Sequence, residues 1–241
     1  MPNGPHSESV VFTFNQFERD NSEAVSVNVF TAVSPPNLMY EDICNLAMNR
    51  STSFIILPFH RRWYVDGTIE TEDDNVRRLN LDILEKAPCS VGILVEGRRN
   101  LRSTNLRGTS SSPSSNNSST FNIAVIILGG RDDWEAIALG DNDQTFDNKM
   151  LRPIRETVDL TYVEEQVNDG PETSSFLRSV VENYQLIIVG RRYNSEDPLT
   201  SGLREWCEFQ ELGVIGDLLS STDIIGNYSL LIVQQQQLWP G

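Results

Sequence analysis

Histidine is scarce: the 241-residue chain has only His6 and His60, far apart in sequence. With no cysteine or second histidine beside either, a zinc site or a Ser-His-Asp relay has almost no material. Cysteine is nearly as sparse. Cys44, Cys89 and Cys207 are odd in number and scattered, with no C-x-x-C spacing, which points to free thiols in a reducing compartment rather than to a disulfide framework. Positive charge is short as well. The chain carries 19 Lys and Arg against 34 Asp and Glu, a formal net charge of -15, and a field of that sign repels phosphate backbones, so nucleic acid is not expected as a partner. No apolar run approaches the roughly 20 residues that cross a bilayer, and the N-terminus lacks a basic stretch followed by an apolar one, so the chain as it stands is expected to be soluble.

What is present is an α/β pattern written twice. In the first half "AVSVNVFTAV", Ala24 to Val33, is rich in β-branched residues and closes on Ser34-Pro35-Pro36, the pattern of a strand ended by a turn. A helix is expected next, with Met39, Ile43, Leu46 and Ala47 on its buried face. "SFIILPFH" follows, an apolar run without alternation, as in a strand covered on both faces of a parallel sheet. A second helix carries Val76, Leu79, Ile83 and Leu84 on one side, Lys86 in its last turn and Pro88 as its stop, before the buried strand "SVGILVEG". Cys89 reads as a small apolar residue entering that strand.

Between Arg102 and Thr120 the tract "RSTNLRGTSSSPSSNNSST" is too polar for a core and suits a flexible linker. Beyond it the second half opens on "FNIAVIILGGRDDWEAIALG", a strand, a glycine pair and a helix begun by acids. "TYVEEQV" (Thr161 to Val167) reads as a weaker strand. Gly170-Pro171-Glu172 opens a helix whose apolar face is Leu177, Val180, Val181 and Tyr184, and "QLIIVGRR" repeats the apolar strand. A short helix in "ELGVIGDLLSSTD" and a last strand in "YSLLIVQQ" complete the order. The expectation is two tandem α/β domains over residues 7–101 and 121–238, joined by a linker at 102–120, each with a small parallel sheet and helices on both faces. Both copies read as incomplete: the first lacks its opening strand, and in the second the helix after Asp132 runs out at "ALGDNDQTF".

The blocks "MYEDICNLAMNRSTSFIILPFHRRWYVDGTIE", "LEKAPCSVGILVEGR", "ILGGRDDWEAIALG", "LIIVGRR", "ELGVIGDLLSS" and "LLIVQQQ" resemble, in order, the cytosolic C-terminal region of the plant cation/proton exchangers. The resemblance implies two universal-stress-protein-like, Rossmann-like domains that follow a transmembrane antiporter. It implies a family exchanging K+ or a similar monovalent cation for protons at an endomembrane or the plasma membrane. With no transmembrane helix, the chain lacks the carboxylates that such transporters use for ion exchange. The expected role is therefore a non-catalytic regulatory region on the cytosolic face, with the transmembrane domain as partner and a homodimer through the α/β domains as a further contact. The alternative reading is a free-standing universal-stress-type nucleotide-binding protein, with a hydrolase of the same fold third.

In open parallel sheets ligands sit beyond the carboxyl ends of the strands. Candidate ligand-binding residues at such ends are Gly129, Gly130, Arg131 and Asp132 after the first strand of the second half, and Gly190, Arg191 and Arg192 after its apolar strand. Gly213, Gly216 and Ser220 belong to its last helix. Glycines there admit a phosphate to backbone N–H groups, and arginines are suited to pair with it. Measured against the universal-stress pattern the match is partial, so no cofactor is assigned and a nucleotide is the one ligand class retained. Arg61, Arg62, Arg191 and Arg192 stand at equivalent points in the two halves, as a ligand pocket, a seam between copies, or solvated loop charges. The adjacent acids Asp132 and Asp133 suit a helix start better than catalysis, and no catalytic or metal-binding residue is assigned.

Overall fold

Apolar runs without alternation need cover on both faces, and the structure, a computed structural model, supplies it. It describes residues 5–64, 66–97, 121–129, 131–140, 161, 163, 165–191, 197–221, 224 and 228–236. The expected linker at 102–120, with Gly130 and Arg192, therefore lies outside the described residues.

The chain divides into two compact units, Met1–Leu38 and Met39–Gly241. The first holds helix α1 (Pro5–Asp20), which leaves Val10, Phe12, Phe14 and Phe17 exposed. The strand expected over Ala24 to Val33 is corrected here: its residues join no ladder, and Val29, Phe30 and Val33 are exposed. β-branched composition favours an extended backbone, but a strand also needs a neighbour to take its N–H and C=O groups. The described part of this unit offers only a helix.

The second unit contains α2 (Met39–Asn49), β1 (Phe54–Pro58), β2 (Arg61–Trp63), β3 (Ile69–Glu72), α3 (Asp74–Lys86) and β4 (Ser90–Val95) from the first half. From the second half come β5 (Ile123–Ile126), α4 (Arg131–Gly140), α5 (Gly170–Val180), β6 (Leu186–Gly190), α6 (Gly213–Ser220) and β7 (Ser229–Gln234). One five-stranded sheet has the order β1-β4-β7-β6-β5. β1 and β4 are parallel, as are β5, β6 and β7, whereas β4 and β7 are antiparallel. The two small sheets expected from the repeat are thus parallel within each half but fused edge to edge through the last strand of each. β2 and β3 form a separate antiparallel ribbon, which the sequence pattern did not announce.

The seam is tied beyond its ladder. The Gln234 side chain at the end of β7 donates to the Leu84 carbonyl at 2.6 Å, the Gln236 backbone N–H donates to Ser90 Oγ at 3.0 Å, and Gly97 N–H donates to Ser229 Oγ at 3.3 Å. Alternate strand residues serve opposite faces. Val91, Ile93, Ile187, Val189, Leu230 and Ile232 pack with Ile83 and Leu84 of α3, Leu177 of α5 and Ile215 and Leu219 of α6. Ile188, Leu231 and Val233 point the other way, onto Ala136 of α4. Each such aliphatic side chain, fully buried, contributes on the order of 2 kcal/mol, and β7 at the centre of the sheet has four in succession from Leu230 to Val233.

The helix faces are largely as expected. Ile83, Leu84, Leu177 and Val181 are buried. In α2 the stripe is rotated: Cys44 and Ala47 are buried, with Tyr40 and Ile43 packed against the core, whereas Met39 and Leu46 are exposed. The end of α3 sets that rotation, because Lys86 Nζ lies 3.9 Å from the Tyr40 ring centroid and the Cys44 thiol faces the Lys86 carbonyl at 3.8 Å. "TYVEEQV" forms no strand in its described residues, and Val163 is exposed; mostly polar, it has little apolar face with which to dock.

Candidate functional site

Helix α4 starts beside the end of β6. Its early acids turn inward: Asp133 Oδ2 accepts from Leu128 N–H at 2.9 Å, and Asp132 Oδ1 accepts from Gln235 N–H at 3.0 Å. Both are buried. Gly190 allows this approach, since a Cβ there would lie 2.2 Å from Asp133 Oδ1 and 2.7 Å from its backbone nitrogen. Gly129, with φ +87°, makes the preceding turn.

Arg191 spreads its guanidinium over the loop before α6. Nε donates to the Glu211 carbonyl at 3.0 Å, Nη2 to the Gln210 carbonyl at 2.9 Å, and Nη1 to Gln234 Oε1 at 2.5 Å. Asp132, Gly190 and Arg191 are thus brought together at the carboxyl ends of β5, β6 and β7, with donors and acceptors engaged on the protein itself. Arg131 begins α4, and Gly213, with φ +67°, begins α6. Gly216 lies inside α6 against β7, where a Cβ would stand 2.7 Å from Ile232 Cγ1. Ser220 is at the far end of that helix, its hydroxyl donating to the Asp217 carbonyl at 2.9 Å. It borders a hollow of about 20 Å³ lined in part by Trp63, Gly97 and Tyr228, room for about one water.

A second cluster carries no motif in the sequence. His60, directly beyond β1, has no exposed side-chain surface, and neither has Glu211; Nδ1 of the imidazole lies 2.9 Å from Oε1 of the carboxylate. The contact is close but misaligned, so neither ring nitrogen and neither carboxylate oxygen completes a hydrogen bond with a described residue. Arg77 Nε approaches the same oxygen at 3.5 Å, and Glu72 Oε1 lies 4.0 Å from His60 Nε2. Arg61 bridges the halves, pairing with Glu72 at 2.7 Å and with Glu208 at 3.0 Å. Arg62 instead pairs within the first half, with Glu96 at 3.0 Å.

Aromatic rings close this corner. Phe209 meets Phe59 edge-on at 5.2 Å and His60 at 5.5 Å, while Phe59 stacks on Trp63 at 5.7 Å. The Arg61 guanidinium carbon sits 4.7 Å above the Phe209 centroid, a cation–π contact. Burial, reinforced by Arg77 and Arg61, pulls the His60 pKa below its ordinary value, and burial pushes that of Glu211 up. Burial and the neighbouring Asp217 raise the Cys207 thiol to about 11, so it stays protonated. No group of three or more His, Cys, Asp or Glu suited to a metal ion occurs among the described residues. The only prior signal for Glu211 is an acid just before an apolar helix, which carries no long-range information.

Known proteins share this arrangement of blocks. The family described as "Plant cation/H(+) antiporter domain" matches residues 2–99, and "Plant cation/H(+) antiporter, C-terminal domain" matches residues 140–234. The chain belongs to the plant cation/proton antiporter family. Among its relatives in Arabidopsis thaliana, Cation/H(+) antiporter 3 is 39% identical over 97% of this chain and 32% of its own length. Cation/H(+) antiporter 9 is 38% identical over 95% of this chain and 31% of its own length. Cation/H(+) symporter 13 is 35% identical over 57% of this chain and 16% of its own length. These family members are named as transporters, and the chain spans about a third of the length of the first two. No solved structure matches it. No helix among the described residues is long and apolar enough to cross a membrane.

Proposed function

We propose that this chain is the regulatory region, on the cytosolic side, of a monovalent-cation/proton antiporter and that it does not itself carry the ion. The supporting observation is one of coverage: the relatives named as antiporters match nearly the whole chain with only a third of their own length. The chain's described helices leave the crossing of the membrane to the remainder. A sheet fused from two halves provides a rigid body through which contact with the transmembrane domain, or with a second copy, alters transport. Catalysis has no part in this reading. Asp132, Asp133 and Arg191 hold loops and helix starts together, and the Cys207 thiol remains un-ionised.

The test is potassium-driven decay of an imposed pH gradient in vesicles containing the full-length transporter that bears this segment. Deleting residues 39–236 is expected to change the rate or its pH profile while the protein still inserts. Unaltered transport with an unaltered pH profile would sink the proposal. A titration of the purified chain with ATP and AMP, followed by calorimetry, separates this reading from a nucleotide-binding one: saturable heat abolished by Arg191→Ala would favour the latter.

A further inference from the structure

We propose that His60 and Glu211 form a proton-linked latch, in which protonation of His60 releases the Cys207–Leu212 loop of the second half from the corner that follows β1. The latch shares its loop with the candidate ligand site, because Arg191 donates to the Gln210 and Glu211 carbonyls. It is measured on the chain alone, so it stands or fails independently of the transport reading.

The geometry is that of a closed electrostatic corner. The His60 imidazole and Glu211 carboxylate have no exposed surface and lie 2.9 Å apart. The surrounding charges come from several elements. From α3, Arg77 reaches Glu211, and Asp74 acts on His60 from farther off. From the β2–β3 ribbon come Arg61 and Glu72, and from the loop Glu208, which Arg61 holds. Asp217 of α6 and Arg191 beyond β6 act on Glu211 from its other side. The loop is fixed at this corner by Phe209, packed among Phe59, His60 and Trp63.

A proton added to the imidazole creates a charge that water cannot reach and that two guanidiniums oppose. Glu211 is a poor counter-ion because burial makes its own ionisation costly. The sign follows from the directions of the two shifts. With a folded pKa below its ordinary 6.5, His60 contributes stability that is present above that value and is lost as pH falls through the depressed one. Glu211 runs the opposite way: with a raised folded pKa, its contribution is present below the ordinary 4.5 and is lost as pH rises through the raised value. Acidification therefore opens the latch through His60. Opening frees Phe209 and exchanges the Glu211 contact for water.

Amide hydrogen exchange of residues 207–212, expressed as protection relative to the unstructured rate, tests the latch between about pH 7.5 and about pH 5.5. Protection in the unaltered chain is expected to fall by up to about tenfold per pH unit below about 6.5, the limit for one linked proton. In His60→Gln it is expected to stay level. Asp217, which accepts from the Glu208 and Phe209 N–H groups, runs the other way: burial raises its pKa, so its contribution grows as pH falls. A fall that persists in His60→Gln belongs to another group and overturns the proposal. Should His60→Gln fail to fold, Arg77→Gln is expected to make the fall smaller, levelling off sooner as pH drops, by removing a charge that opposes the imidazolium; an unchanged fall rejects the latch. In His6→Gln, the remaining imidazole signal reports His60 alone by NMR. Titration of that signal with constant loop protection, or no titration before global acid unfolding, also overturns it.

Discussion

The corner after β1 and the corner after β6 occupy matching places in the two halves, yet they are held by different forces. After β6, Arg191 gives its donors to two backbone carbonyls and a glutamine side chain. None of those acceptors titrates, although the Arg191 charge also acts on Glu211. After β1, the neighbours are ionisable: His60 faces Glu211, and Arg61 reaches both Glu72 and Glu208. The difference teaches that a repeated strand-helix pattern conserves the scaffold while leaving each corner free in its chemistry. It also shows which corner joins the halves, because Glu208, Phe209 and Glu211 come from the second half and their partners from the first.

The comparison can be broken most severely at Glu211. Glu211→Ala empties a fully buried site beside His60 and is expected to lower the unfolding free energy by about 2–3 kcal/mol, while Glu208→Ala, at an exposed partner of Arg61, is expected to cost less than about 1 kcal/mol. Urea midpoints at constant slope measure both. Equal losses would mean that the buried corner is no more important than its rim.

The next test compares glycines. Gly190→Ala drives a methyl into the backbone of α4 and is expected to cost about 3 kcal/mol. At Gly92 the obstructing atoms are Phe54 Cζ at 2.8 Å and Leu231 Cδ1 at 2.9 Å. These side-chain ends can shift, so Gly92→Ala is expected to cost only about 1 kcal/mol. A reversed order in thermal unfolding would refute the rigid contact between α4 and β6.

The smallest effect is also the most even. Asp73 caps α3 by accepting from Asn75 N–H at 2.8 Å, and Asp169 caps α5 by accepting from Glu172 N–H at 2.9 Å. Replacing either with Ala is expected to cost about 1 kcal/mol, read from the same urea curves. Clearly unequal costs would show that the scaffold itself, and not only the corners, differs between the halves.

The strands β1, β4, β6 and β7 were legible because continuous apolar runs have a single physical use in an α/β protein. The helices were legible from their periodicity, with the rotation of α2 as the main departure. Pairing order was not, since periodicity reports burial and says nothing of which edge meets which; the β4–β7 seam could not be read from either half alone. For the same reason Ala24 to Val33 looked like a strand when its composition fixed only an extended backbone. At the candidate site, the glycines and acids before α4 were visible as turn and helix-start chemistry. The His60–Glu211 pair was hidden because its two members are distant in sequence and neither belongs to a motif. Scarcity of histidine argued against metal and relay chemistry, but a single buried histidine needs only one carboxylate to matter.

The antiparallel seam has a directional consequence. Since β4 and β7 run in opposite senses, the carboxyl ends of β1 and β4 open at one rim of the sheet and those of β5, β6 and β7 at the opposite rim. A molecule approaching the first half by the end-of-strand rule therefore arrives from the side opposite to one approaching the second. The fused sheet is a two-headed connector, and Glu211, with its side chain at His60 and its carbonyl at Arg191, is the residue that reaches from one head to the other.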